Sequence, residues 1–209
     1  MTKIQYISQG NSVEEQLHNI RKVLDSGCTW VQLRYKNAPQ TEVFFLASLV
    51  KRITDSYNCK LIINDNLQVA KLVDADGIHL GLSDMPIHEA RAIFGPDKIY
   101  GGTANSLEDV LQRHNERCDY IGLGPYRFTT TKEKLSPILG LEGYRQILAQ
   151  LKALQISIPI YAIGGIQLED IAGILDTGVY GVALSGLITH HPDQKQLFNQ
   201  LQQLCNPYI

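Results

Sequence analysis

The residues best placed to do chemistry begin in the stretch 30–36, which reads WVQLRYK. In a strand, successive side chains point to opposite faces. Gln32, Arg34 and Lys36 then share one face, and Val31, Leu33 and Tyr35 share the other. Two cations cannot be buried unpaired without a large penalty. That face must therefore meet water, carboxylates or an anionic ligand. Two carboxylates follow downstream, Asp65 in NDN and Asp84 in HLGLSD, with Asn64 beside the first. A hard cation such as Mg2+ takes oxygen ligands, commonly one or two carboxylates completed by substrate phosphates. A helix N-cap explains either aspartate alone. Both together, beside Gln32, Arg34 and Lys36, favour a metal site.

Further polar residues recur at the ends of apolar runs. Gly101, Gly102 and Thr103 pair glycines that permit close backbone approach with a hydroxyl that can bond a ligand; a tight turn explains them as well. The stretch 124–134, GPYRFTTTKEK, sets Thr129 and Thr131 before Lys132. Hydroxyl donors and a positive charge on a long loop suit a polyphosphate and a closing lid, although a solvated polar loop is the commoner fate of such a stretch. Two later runs end in Gly164 and Gly165, and in Ser185 and Gly186. No Ser-His-Asp set stands out, and His79 is either a proton donor or a structural histidine.

The elements that must position these residues alternate short β-rich runs with amphipathic stretches. Strands are predicted at 4–8, 31–36, 60–64, 77–80, 98–103, 120–123, 158–163 and 181–184. The intervening helices start from local signals. Ser12 with Glu15 reads as a capping box, and Ser106, with Asp109 three residues on, opens a helix. Thr41 reads as the cap of a helix running to about residue 57, and Pro86 opens another. Eight βα units in 209 residues argue for parallel strands and a single-domain (β/α)8 TIM barrel over residues 1–209. A doubly wound sheet would usually show a G-x-G-x-x-G turn after the first strand, and residues 8–11 (SQGN) lack one. In such a barrel the site lies at the C-terminal ends of the strands, where the candidate metal, diphosphate and phosphate residues cluster. Loops seven and eight, with a short helix N-terminus, then form the recurrent phosphate site of these barrels; glycines serving close packing are the alternative. Two anion sites are implied. Arg34, Lys36, Lys132 and a metal exceed what a monophosphate needs and point to a diphosphate. The chemistry that fits joins two phosphorylated substrates and expels diphosphate, the cations stabilising the departing charge.

Composition bounds the partners. The chain is 44% hydrophobic and 19% charged, with a net charge of −2, which makes nucleic acid and membrane surfaces unexpected partners. No apolar run reaches transmembrane length. Cys28, Cys59, Cys118 and Cys205 lie far apart in no metal-ligand spacing and read as reduced thiols of a cytoplasmic protein. Oligomeric state is left open.

Six motifs in order, VQLRYK, IINDN, DGIHLGLSD, GPYRFTTTK, AIGGI and GVALSG, resemble those of the thiamine-phosphate synthase family over nearly the whole chain. The resemblance implies a Mg2+-dependent transferase. Its substrates would be 4-amino-2-methyl-5-hydroxymethylpyrimidine diphosphate and 4-methyl-5-(2-hydroxyethyl)thiazole phosphate, its products thiamine monophosphate and diphosphate. It further implies that Asp65 and Asp84 hold Mg2+ and that Arg34, Lys36, Asn64 and Lys132 hold the diphosphate. Gln32 and Thr103 would contact the pyrimidine or its leaving group, and Thr129, Thr131, Gly165 and Ser185 would serve the thiazole phosphate. Arg34, Lys36, Thr103 and Lys132 would be the residues acting in catalysis. The chain departs from the family pattern at Leu82, usually glutamine, at Thr103, usually serine, and at Arg127, more often aromatic. The competing functions are a thiazole tautomerase of the same fold, another phosphate-binding barrel such as a sugar-phosphate isomerase, and a non-catalytic phosphate sensor.

Overall fold

A computed structural model describes residues 1–128 and 137–206. The strands β1 (Ile4–Ile7), β2 (Trp30–Leu33), β3 (Lys60–Asn64), β4 (Gly77–Leu80), β5 (Ile99–Ala104), β6 (Tyr120–Leu123), β7 (Ile160–Ile163) and β8 (Gly181–Leu184) are all parallel and close on themselves in sequence order. The helices between them are α1 (Val13–Asp25), α2 (Gln40–Ser56), α3 (Leu67–Leu72), α4 (Ile87–Phe94), α5 (Leu107–Asn115), α6 (Gly140–Ala153) and α7 (Ile171–Leu175). A short α8 (Gly186–Thr189) and α9 (Gln194–Cys205) follow β8. This is the expected (β/α)8 barrel.

Strand alternation divides the apolar residues into two sets. Ile7, Trp30, Ile62, Tyr120, Tyr161 and Ala183 form one cluster. Their neighbours in sequence, such as Val31, Leu61, Ile63, Ile121, Ala162 and Val182, join the larger cluster with the helices. The first set fills the barrel and the second seals it to the helical shell. Trp30 stands edge-on to both Tyr120 and Tyr161, with ring centroids 4.9 and 5.0 Å away, so an aromatic plug closes the interior. Gln5, Gln32, His79 and Thr103 also belong to the inward set, linked by hydrogen bonds across the barrel.

Local signals were followed with instructive exceptions. Ser106 and Asp109 form the full capping box. Ser12 caps α1 through the Glu15 N–H, but the Glu15 carboxylate returns to the Asn11 N–H at 2.7 Å, one residue earlier than a capping box requires. Thr41 is not a cap. Pro39 occupies that position and its carbonyl receives the first helical N–H groups, from Glu42 and Val43; the fixed proline φ suits a helix start, and Thr41 lies inside the first turn. The four cysteines are free and buried. No helix among the described residues is long and apolar enough to cross a membrane.

Candidate active site

The β2 strand is shorter than its sequence suggests, and this changes how the cations are held. It ends at Leu33, so Arg34, Tyr35 and Lys36 are not placed by strand pleating. The neighbouring β1 stops at Ile7, which leaves no ladder on that side. The Arg34 N–H instead donates to Ser8 Oγ at 3.0 Å, and the Arg34 carbonyl accepts from Gln16 Nε2 at 3.2 Å. Tyr35 OH donates to Glu42 at 2.6 Å. Asn37, at φ +63°, then turns the chain away. Only Gln32 of the three keeps its predicted inward strand position. Arg34 is half-buried, and burial lowers its pKa against an opposing pull from the Asp65 charge.

The two aspartates meet at the ends of β3 and β4. Asp65, at φ +61°, donates its N–H to the His79 carbonyl at 2.9 Å, and its carboxylate lies 3.2 Å from Lys36 Nζ. Asp84 Oδ2 accepts the Gly81 N–H at 2.6 Å. Neither aspartate caps a helix: Asn66 caps α3 by accepting the Val69 N–H, and Pro86 precedes α4. Burial, followed by the charge of nearby Asp65, pushes the Asp84 carboxyl up. A carboxyl raised by a neighbouring carboxylate suits a divalent cation, which removes the repulsion. Among the described residues no three His, Cys, Asp or Glu side chains cluster as a complete protein-borne metal cage. Two carboxylates with space for ligand oxygens are the kind of donor set Mg2+ accepts beside phosphates. Asn64 ends β3 next to this pair, half-buried.

A buried arginine that sequence reasoning passed over holds this corner together. Arg113 on α5 is 1% exposed. It donates to the Gly81 carbonyl at 2.7 Å, to the Thr103 carbonyl at 3.2 Å and to Glu116 at 2.7 Å. It therefore ties the loop bearing Asp84 to the end of β5. The paired glycines of β5 serve this packing rather than a ligand. A Cβ at Gly101 would come within 2.2 Å of the Tyr120 ring, and one at Gly102 within 2.6 Å of Arg113 Cδ. A charged residue at an otherwise apolar helix position, three residues before Glu116, was the available signal.

The opposite side of the mouth is built from backbone. Gly164 and Gly165 follow β7 at φ +95° and +68°. A Cβ on Gly165 would lie 2.8 Å from the Phe128 carbonyl oxygen, so loop six rests directly on loop seven. Arg127 fastens that contact, donating to Asp170 at 2.9 Å and to the Gly165 carbonyl at 3.3 Å. Ser185 precedes α8, and its Oγ is buried without a partner among the described residues. Thr129, Thr131 and Lys132 lie outside the described residues. The structure thus brings Arg34, Lys36, Asn64, Asp65 and Asp84 together on one side, Gly165 and Ser185 on the other, with Gln32, His79 and Thr103 inside the barrel.

Comparison with known proteins identifies the family. A family model described as thiamine monophosphate synthase matches residues 4–188. The thiamine-phosphate synthase of Flavobacterium psychrophilum is 58% identical over 201 residues, covering 96% of this chain and 98% of that one. That of Flavobacterium johnsoniae is 54% identical over 96% and 95% of the two chains. A solved thiamine phosphate pyrophosphorylase from Pyrococcus furiosus superposes with a TM-score of 0.85 at 32% identity, over 98% of this chain and 96% of that one. With a family match spanning the barrel and identity well above 30% over nearly full length, the chain belongs to the thiamine monophosphate synthase family, transferases of thiamine biosynthesis.

Proposed function

We propose that this chain joins the pyrimidine diphosphate to the thiazole phosphate by a dissociative substitution at the mouth of the barrel. The C–O bond between the pyrimidine methylene and the diphosphate breaks, and its electron pair leaves with the diphosphate. The thiazole nitrogen lone pair then captures the carbocation, forming the C–N bond of thiamine monophosphate. No proton is lost at either atom, so the step requires no strong base, and the absence of a nucleophilic triad from the sequence motifs fits it. The observation that carries the reading is the Asp65–Asp84 pair facing Lys36 across the ends of β3 and β4.

Asp65 and Asp84 are the residues that would hold Mg2+, which when bound supplies neutralising charge to the leaving diphosphate. Arg34, Lys36, Asn64 and Lys132 bind the same diphosphate and stabilise the charge it gains. Arg34 is suited to bidentate phosphate contact by its planar guanidinium. Gln32 and Thr103 hold the pyrimidine deep in the mouth. Gly165, Ser185, Thr129 and Thr131 take the thiazole phosphate, the first through backbone amides, the second through an Oγ without another partner among the described residues. The four buried thiols support a reducing, cytoplasmic setting.

The test mixes purified protein with both phosphorylated heterocycles and Mg2+ and quantifies both products, with a chelator control. Equal amounts of thiamine monophosphate and diphosphate, lost on chelation, are expected. Folded protein that binds thiazole phosphate yet forms neither product would replace this reading with the tautomerase or sensor.

A further inference from the structure

The polar layer inside the barrel has a direction. Five side chains from five strands form one chain of hydrogen bonds. Gln32 Nε2 donates to Gln5 Oε1 at 3.1 Å, and Gln5 Nε2 donates to Tyr120 OH at 3.1 Å. Tyr120 OH lies 3.1 Å from His79 Nδ1, and His79 Nε2 lies 3.0 Å from Thr103 Oγ1. Gln5, Gln32, His79 and Tyr120 are each 5% exposed or less, so water does not readily substitute for a missing link.

With the two amides oriented as they stand, counting protons along the chain gives what each end offers. Tyr120 accepts from Gln5 and has a single proton to give, which goes to His79 Nδ1. A neutral imidazole accepting at Nδ1 carries its proton on Nε2, and that proton goes to Thr103 Oγ1. The Thr103 proton is then turned onward, towards the mouth. At the other end, Gln32 Oε1 accepts from none of the described residues. The chain ends in an acceptor at Gln32 and a donor at Thr103. Turning both amides over would reverse every link and exchange the two ends. Burial drives the Tyr120 phenol pKa well upwards, so the central proton stays in place across neutral pH.

We propose that Gln5 and Tyr120 are positioning residues that fix this polarity, and through His79 they select an aminopyrimidine over its oxo analogue. The inference rests on the reading that the pyrimidine sits against Gln32 and Thr103. A 4-aminopyrimidine offers an amino N–H to the acceptor and a ring-nitrogen lone pair to the donor. A 4-oxopyrimidine offers a carbonyl and a ring N–H, the opposite polarity. A buried polar group facing the wrong partner is left unpaired, which is a strong source of discrimination.

The test uses Tyr120→Phe, which keeps the ring packed edge-on to Trp30 and Tyr161, with Gln5→Leu as the second variant. Three quantities are read: the KM for each substrate, inhibition by the 4-oxo pyrimidine diphosphate, and the protonation of His79 from 15N NMR of histidine-labelled protein, assigned by difference from His79→Gln. In the wild type, His79 should carry its proton on Nε2 alone. Either variant should give a mixture of tautomers, raise the KM for the aminopyrimidine roughly tenfold, narrow the preference over the oxo analogue by a similar factor, and leave the KM for thiazole phosphate within about twofold. The NMR arm needs no turnover. An inactive wild type with the Nε2 tautomer would remove the reading of function and keep the relay. A wild-type His79 protonated at Nδ1, or variants in which both KM values rise together, would overturn the relay itself.

Discussion

The two halves of the barrel mouth are built by different means. The β2–β4 side uses charged side chains: Arg34, Lys36, Asp65 and Asp84, with Arg113 bracing them from behind. The β7–β8 side uses backbone geometry: two glycines in left-handed conformations and a serine hydroxyl without a partner among the described residues. The first side can respond to charge that grows during a reaction, because cations and a metal interact more strongly as negative charge develops. The second offers fixed dipoles and suits a phosphate whose charge does not change. On the proposed reading, the reacting diphosphate takes the first side and the spectator phosphate the second.

The largest predicted effect breaks the charged side. Asp65→Ala or Asp84→Ala should abolish turnover, lowering kcat/KM by about a thousandfold or more, while circular dichroism and thermal melting remain those of a folded barrel. Full Mg2+-dependent activity in both variants would remove the metal assignment. Lys132→Ala should come next, lowering kcat more than it raises the KM for thiazole phosphate; an unchanged kcat would move Lys132 off the leaving group. On the backbone side, Gly165→Ala should raise the KM for thiazole phosphate and leave that for the pyrimidine diphosphate within about twofold. Its cost follows from φ +68° and the Phe128 carbonyl 2.8 Å from the added carbon, strain of about 1–3 kcal/mol. A change in the pyrimidine KM alone would exchange the two assignments.

Two stability effects sharpen the same contrast. Arg113→Leu leaves Glu116 half-buried without its cation, held only by Gln112 and the Ile87 N–H, and should destabilise the fold by about 3 kcal/mol in denaturant unfolding. The smallest effect concerns pH. The folded-state pKa of Asp84 is raised, so the folded protein holds this proton more tightly than the unfolded chain does. Its ionisation then opposes folding, and metal-free stability falls as pH rises from the usual carboxylate value through the raised one. Asp84→Asn should flatten that fall and stabilise the metal-free protein at neutral pH, by under about 1 kcal/mol after solvent screening. A variant less stable than wild type at neutral pH would show that the Gly81 bond outweighs the repulsion.

What was legible in the sequence follows from the range of the interactions. The βα alternation, the helix start at Ser106 and the carboxylates after β3 and β4 are encoded within a few residues. The placement of Arg34 and Lys36 was misread because where β2 ends depends on where β1 ends, a fact held in another part of the chain. Gly101 and Gly102, read as a close backbone approach or a tight turn, make room for Tyr120 and Arg113. The Gln5–Tyr120 bond spans 115 residues, and no local pattern announces it. Inward strand positions occupied by Gln5, Gln32 and His79 were the available hint, since polar residues in a barrel interior demand partners.

The most direct measurement is Mn2+ binding followed by electron paramagnetic resonance, with Mn2+ as a spectroscopic substitute for Mg2+. Wild type, Asp65→Ala and Asp84→Ala would be titrated with and without inorganic diphosphate. One tight Mn2+ per chain, dependent on diphosphate and lost in both variants, is the predicted result. Tight binding that survives in both variants would contradict the charged side of the mouth as the metal and diphosphate site.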